Sequence, residues 1–127
     1  MPNTPDFIAH LLELMRPAGK VSARAMFGGH CIYVDAMIVG IVVDDELYLK
    51  TDDDTRAAFV ERALPPFCYS TREGARHAMS YHRAPDEAME SPAAMREWLR
   101  PAVGVALRAA NRKTAPARKR RPRSGGT

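Results

Sequence analysis

The stretch HCIYVDAMIVGIVVDDELYLK, residues 30–50, contains three β-strand patterns separated by two short polar turns. The middle strand is apolar on both faces, which favours a central position in a sheet, and the last alternates polar and apolar residues as a half-buried strand does. Asp35-Ala36 and Asp44-Asp45 leave hairpin-length links, so the strands are predicted to form an antiparallel meander. The three strands are His30–Val34, Met37–Val43 and Glu46–Lys50.

A fourth strand, Val21–Met26, precedes this stretch and ends at Phe27-Gly28-Gly29. The glycine pair lacks the GK[ST] and GxGxxG patterns, and no helix follows it to receive a phosphate. The favoured interpretation is a turn between two strands, because glycine adopts positive φ without strain.

Three amphipathic helices surround the strands. The first begins at Thr4-Pro5, with a capping residue followed by a proline that suits the first helical position, and ends at Pro17. The second is predicted over Asp53–Ala63. The third begins at Ser91-Pro92 and continues to Asn111, with a kink expected near Glu97–Arg100 because Pro101 removes a backbone hydrogen bond.

A further strand pair is predicted at Phe67-Cys68-Tyr69 and Ala75–Arg83, joined by a turn at residues 72–74. Pro85–Met89 is predicted to form a single helical turn. The resulting order is α-β-β-β-β-α-β-β-α. Such an order predicts an α+β fold, a two-layer sandwich in which helices cover one face of an antiparallel sheet.

The 127 residues carry a formal net charge of +4, but the charge is unevenly distributed. Residues 113–127 hold six basic residues and no acidic one, which leaves 13 basic against 15 acidic residues, a net charge of −2, over residues 1–112. We therefore divide the chain into a folded domain, 1–112, and a disordered basic tail, 113–127, whose composition cannot form a core. The basic residues of the tail are Lys113, Arg118, Lys119, Arg120, Arg121 and Arg123.

Clustered cations bind nucleic acid by counterion release without sequence specificity, so these six residues are the candidate nucleic-acid contacts. A solvated tail without function is the alternative. No pair of short helices suggests a folded DNA reader.

The location of the protein is predicted to be cytoplasmic. The longest apolar run, Met37–Val43, is far too short to cross a bilayer, and the first six residues lack the features of a signal peptide. Cys31 and Cys68 are not a CxxC pair and are predicted to be buried, reduced thiols, with a disulfide or a reactive thiol as the alternatives.

No catalytic or metal-binding pattern stands out. The acidic clusters at 44–46 and 52–54 lack the spacing of a calcium loop and suit a turn and a helix start. His30, His77 and His82 are poorly spaced for one metal ion. A nucleophilic pair of Cys31 or Cys68 with a histidine stays open, although no local motif favours it. We predict no enzyme activity, no cofactor and no metal.

Four motifs in series resemble the TfoX (Sxy) N-terminal domain family. They are an "MFGG…Y" strand pair, an "LYLK.D" strand, an "F.Y" segment and an "MSY…P" strand and exit, followed by an alanine-rich helix with a tryptophan. His82 stands where the family often has a second aromatic residue. The similarity covers about residues 7–111, and the matching residues are Met26, Phe27, Gly28, Gly29, Tyr33, Leu47, Tyr48, Lys50, Phe67, Tyr69, Met79, Ser80, Tyr81, Pro85 and Trp98.

This resemblance implies the same α+β sandwich and a role linked to the regulation of natural competence for DNA uptake. It implies a standalone member without the C-terminal helical domain of the fuller regulators, and it supplies no catalytic residues. The expected function is therefore a non-enzymatic regulatory or adaptor domain that binds a protein partner or a second copy of itself. Nucleic-acid binding through the tail is the alternative.

Overall fold

A six-stranded antiparallel sheet forms the centre of the protein, in a computed structural model that describes residues 3–26, 28–71 and 73–114. The strands lie in the order β1-β2-β3-β4-β6-β5. The predicted meander of the first four strands is confirmed, and β6 then inserts between β4 and β5. The strands are β1 Val21–Met26, β2 Gly29–Val34, β3 Met37–Val43, β4 Glu46–Lys50, β5 Pro66–Thr71 and β6 Gly74–Arg83.

The two hairpin turns fall where the sequence placed them. Asp35 and Ala36 have φ values of 50° and 70°, and Asp44 and Asp45 have 53° and 58°. Two consecutive left-handed residues form the tight turn whose twist matches that of antiparallel strands. Three of the four positions carry aspartate, which tolerates this conformation better than most residues.

The three helices are α1 Pro5–Met15, α2 Arg56–Glu61 and α3 Pro92–Thr114, with 3₁₀ turns at Arg16–Ala18 and Asp86–Met89. The order α-β-β-β-β-α-β-β-α is confirmed. Thr4 caps α1, since its hydroxyl accepts from the Phe7 backbone N–H. Pro101 lies inside α3, which continues past it.

The predicted start of α2 at Asp53 is wrong. The Asp52 carboxylate accepts from the backbone N–H groups of Asp54 and Thr55, which holds this segment in a turn and delays the helix to Arg56. The helix also ends at Glu61, two residues early, because Ala63 adopts a left-handed φ of 58°. At the other end of the chain, α3 extends through Thr114, three residues past the predicted end at Asn111, and includes Lys113.

All three helices pack on one face of the sheet. The strand residues that face them form a row across five strands, Ala23, Ile32, Gly40, Leu49 and His82. The buried core contains residues from α1 (Leu11, Leu14, Met15), α2 (Phe59) and α3 (Met95, Leu99, Ala102, Ala106) together with β2, β3 and β4. The two-layer α+β sandwich is therefore confirmed. Within the described residues, the helices are too short or too polar to cross a membrane.

Candidate functional site: the open face of the sheet

The second face of the sheet carries the next row of cross-strand neighbours, Arg24, Cys31, Ile41, Tyr48 and Arg83. Side chains alternate along a strand, so this row points away from the helices. The buried residues of the three described helices belong to the opposite core, and α3 approaches this face only at one end, where Ala109 and Ala110 line a pocket beside Tyr33 and Lys50. We call this surface the open face.

Aromatic side chains occupy the centre of the open face. Phe67 of β5 meets Tyr48 of β4 edge to face, with ring centroids 5.3 Å apart. Burial raises the pKa of the Tyr81 hydroxyl, and electrostatic interaction with Cys31 and Tyr33 raises it further. Tyr33, Ile41, Tyr48 and Tyr81 are all half-buried. The centre of the open face is thus apolar and only partly shielded from water.

Charged side chains surround this centre. Arg83 lies 3.5 Å from Glu46 and 3.4 Å from Asp86, and the Tyr48 hydroxyl donates to Glu46 at 3.2 Å. The pKa of Tyr48 is raised by burial first and by Glu46 second. Lys50 lies over the Tyr81 ring, 5.2 Å from its centroid. An apolar centre with a polar rim is the usual anatomy of a protein-binding surface.

The two cysteines differ, and the prediction that both are buried is wrong. Cys31 is buried on the open face, where its Sγ donates to Met26 Sδ at 3.6 Å, and burial raises the pKa of its thiol. Cys68 is exposed, because β5 is an edge strand. Three strands separate β2 from β5, and both thiols are free. The raised pKa keeps Cys31 protonated at neutral pH, which makes it a weak nucleophile.

The histidines named from the sequence do not converge. His30 contacts Asn3, with 2.9 Å between Asn3 Nδ2 and His30 Nδ1, while His82 is buried on the helix side of β6. The His77 side chain lies outside the described residues. No group of three His, Cys, Asp or Glu residues in the described part of the chain could hold a metal ion.

The acidic clusters serve local structure. Asp45 accepts from the backbone N–H and the hydroxyl of Thr4, which ties the β3–β4 turn to the start of α1. Asp52 accepts from Arg108 of α3 at 2.7 Å. The hydrogen bond from Arg108 is the main cause that lowers the pKa of Asp52 to about 2. Asp45 thus has the predicted turn role, while Asp52 holds the turn that precedes α2 and is not part of the helix itself.

The family-motif residues fall into two groups. Tyr33, Tyr48, Lys50, Phe67 and Tyr81 come together on the open face from four different strands. The remaining described motif residues have structural positions: Gly28 in a turn, Gly29 at the start of β2, Leu47 in the core, Ser80 in β6, Pro85 before a 3₁₀ turn, and Trp98 against Phe59 and Arg62.

Phe27 and the tail residues Arg118, Lys119, Arg120, Arg121 and Arg123 lie outside the described residues. Tyr69 and Met79 lie in β5 and β6, and Met26 ends β1, 37% exposed.

Four residues of the open face were not predicted from the sequence: Arg24, Ile41, Glu46 and Arg83. Their alternation along the strands was the available signal, but it does not say which side the helices cover.

Fold and surface together define a small α+β sandwich with one sheet face that the described helices leave uncovered. A family model described as the TfoX N-terminal domain matches residues 13–106. The match covers well over half of the chain, which therefore belongs to the TfoX N-terminal domain family. Comparison with curated proteins gives no significant match.

Proposed function

We propose that this protein is a non-enzymatic regulatory adaptor of the cytoplasm, which acts by binding protein through the open face. The observation that carries the proposal is the half-buried cluster of Tyr33, Ile41, Tyr48 and Tyr81, which no described helix covers. Tyrosine and arginine are enriched at protein interfaces, where a large ring supplies contact area and a polar group.

The chemistry of the described side chains favours binding over catalysis. Burial raises the pKa of the Cys31 thiol and outweighs the lowering effect of Arg24, and the thiol donates to a methionine sulfur. The acidic residues Asp45 and Asp52 already accept hydrogen bonds from turns and helix starts. A nucleophile needs an activating base or a lowered pKa, and the pKa of Cys31 is raised.

Family membership supports a more specific role. The resemblance to TfoX (Sxy) connects this fold with the control of competence, and we propose that the adaptor acts in transcription regulation. In that role the domain would contact a protein of the transcription apparatus and would itself need no DNA-reading helix.

The test replaces the centre of the open face while leaving the core intact. Ile41→Arg places a charge among Cys31 and Tyr48, and it is expected to abolish crosslinking to the cellular partner and the change in transcript levels that follows overproduction of the wild type. Leu107→Glu is the matched control, because Leu107 is 46% exposed on α3, away from the open face. If Ile41→Arg folds normally and keeps both partner and transcript response, the proposal is wrong.

The basic tail favours a second candidate function, nucleic-acid binding. The six basic residues lie within the last 15 residues of a chain whose remainder is net acidic. Binding through such a tail should weaken steeply as salt rises, because each neutralised phosphate releases a counterion. We expect the full chain to bind DNA in low salt and a truncation after residue 112 not to bind. Binding that is equal for both chains, or indifferent to salt, would contradict this candidate.

A further inference from the structure

We propose that the partner of the open face is the open face of a second copy, related by a two-fold axis that passes over Tyr48. This inference rests on the proposed function and names the occupant of its binding surface. Charge pattern, apolar content and area each support it.

The charge pattern of β4 is self-complementary. Glu46 and Lys50 lie at opposite ends of this strand, two residues on either side of Tyr48, and all three point to the open face. In a two-fold interface the same residues meet with their order reversed. An axis across β4 at Tyr48 therefore brings Glu46 of each copy over Lys50 of the other, which forms two opposite-charge contacts.

The apolar centre also suits packing of the face on itself. Ile41 and Tyr48 are cross-strand neighbours at the axis, and the Phe67 and Tyr81 rings flank them. Arg83 brings no unpaired charge, since Glu46 and Asp86 neutralise it within the chain. Arg24 lies on β1, at the edge of the sheet. Two packed sheets are rotated by about 30° and separated by about 10 Å, so a long side chain at the edge stays in water.

The size of the face predicts a modest affinity. Six strands about 4.8 Å apart, each about 20 Å long, offer about 500 Å² per copy, or about 1,000 Å² for two copies. Specific protein interfaces begin at about that size. The dimer should therefore dissociate on dilution, so that the face exchanges between a second copy and other partners.

The experiment measures the monomer–dimer equilibrium of the full chain by sedimentation velocity over a range of protein concentrations. We expect the wild type to dimerise as concentration rises. Glu46→Lys alone and Lys50→Glu alone each convert both opposite-charge contacts into like-charge contacts, and should weaken dimerisation about ten- to hundredfold. The double variant with both substitutions should dimerise more tightly than either single variant, because the charges across the interface are again opposite. It should stay weaker than the wild type, because Glu46→Lys also removes one of the two partners of Arg83.

Two further variants keep the test decisive. Leu107→Glu adds a charge away from the open face and should leave the dimer unchanged, while Ile41→Arg should abolish it without altering the circular dichroism spectrum. A wild type that stays monomeric at every concentration, or a folded double variant that remains as weak as the single variants, would overturn the inference.

The same variants separate this inference from the proposed function. If the wild type is monomeric but Ile41→Arg still loses the cellular partner, the open face binds a different protein and the adaptor function stands. If the wild type is monomeric and Ile41→Arg loses no partner, both proposals fail.

Discussion

Replacement of Gly29 by alanine is expected to destabilise the protein by about 2–3 kcal/mol, a large part of the stability of a domain of this size. A Cβ atom at Gly29 would collide with the Val42 backbone carbonyl oxygen and lie 3.2 Å from Val43 Cγ2. The oxygen belongs to the neighbouring strand β3 and cannot rotate away as a side chain could. The strands must separate locally, which weakens the β2–β3 pairing.

Gly28→Ala is the matched control in the adjacent position. A Cβ at Gly28 would meet nothing within 4 Å, but its φ of +78° is left-handed. The cost should therefore be only about 1 kcal/mol, from backbone strain. Thermal or urea unfolding of both variants measures the difference. If Gly28→Ala is the more damaging substitution, the close approach at Gly29 does not limit the packing.

Acidification below about pH 6.5 is expected to destabilise the wild type through His82. This side chain is 0% exposed, its Nδ1 lies 3.2 Å from the Thr51 hydroxyl oxygen, and its Nε2 has no hydrogen-bond partner among the described residues. Burial is the first cause that lowers the pKa of His82 below 6.5, and Arg56 is the second. The neutral imidazole is therefore the form that the fold accepts.

The direction of the effect follows from proton linkage. The unfolded chain binds a proton at His82 near pH 6.5, while the folded chain resists it down to its lower pKa. Between these two pKa values the unfolded state holds more protons, so stability falls as pH falls, by up to about 1.4 kcal/mol per pH unit. Above pH 6.5 both states are neutral at this position, and the effect disappears.

His82→Phe should remove this pH dependence, because an aromatic ring of similar size carries no proton and leaves no unpaired nitrogen beside Phe59. The exposed His10 offers the control, since His10→Gln should keep the wild-type slope. Urea unfolding at a series of pH values between 7 and 5 gives the comparison. If the free energy of unfolding falls equally with pH in the wild type and in His82→Phe, other groups cause the acid sensitivity.

Tyr81 of the open face and His82 of the core are consecutive residues of β6, and the alternation of side chains along the strand places them on opposite sides of the sheet. Tyr81 points to the open face and His82, the next residue, points into the core. A shift of β6 by one residue would exchange them, placing the histidine in water and the tyrosine against α2. The pairing of Leu49 with His82 thus sets both the binding surface and the acid sensitivity.

Much of the architecture could be predicted from the sequence, because the signals involved are local. The paired turn residues at Asp35-Ala36 and Asp44-Asp45, and the alternation in Glu46–Lys50, depend on neighbours within a few positions. The same holds for the Thr4 cap of α1 and for the two glycines after Phe27. These features determined the number, type and order of the elements, and the family motifs agree with them.

Tertiary structure alone decided how the β5–β6 pair joins the first four strands and which surface stays open. The sequence places β5 and β6 together, but only packing shows that β6 joins β4 and leaves β5 with Cys68 at the edge. The alternation of side chains along β3 predicts that Ile41 and Val42 face opposite sides of the sheet. It does not predict which side the helices cover. That choice depends on contacts between residues distant in the chain, such as Leu11, Leu49 and Met95, whose joint burial has no local signature.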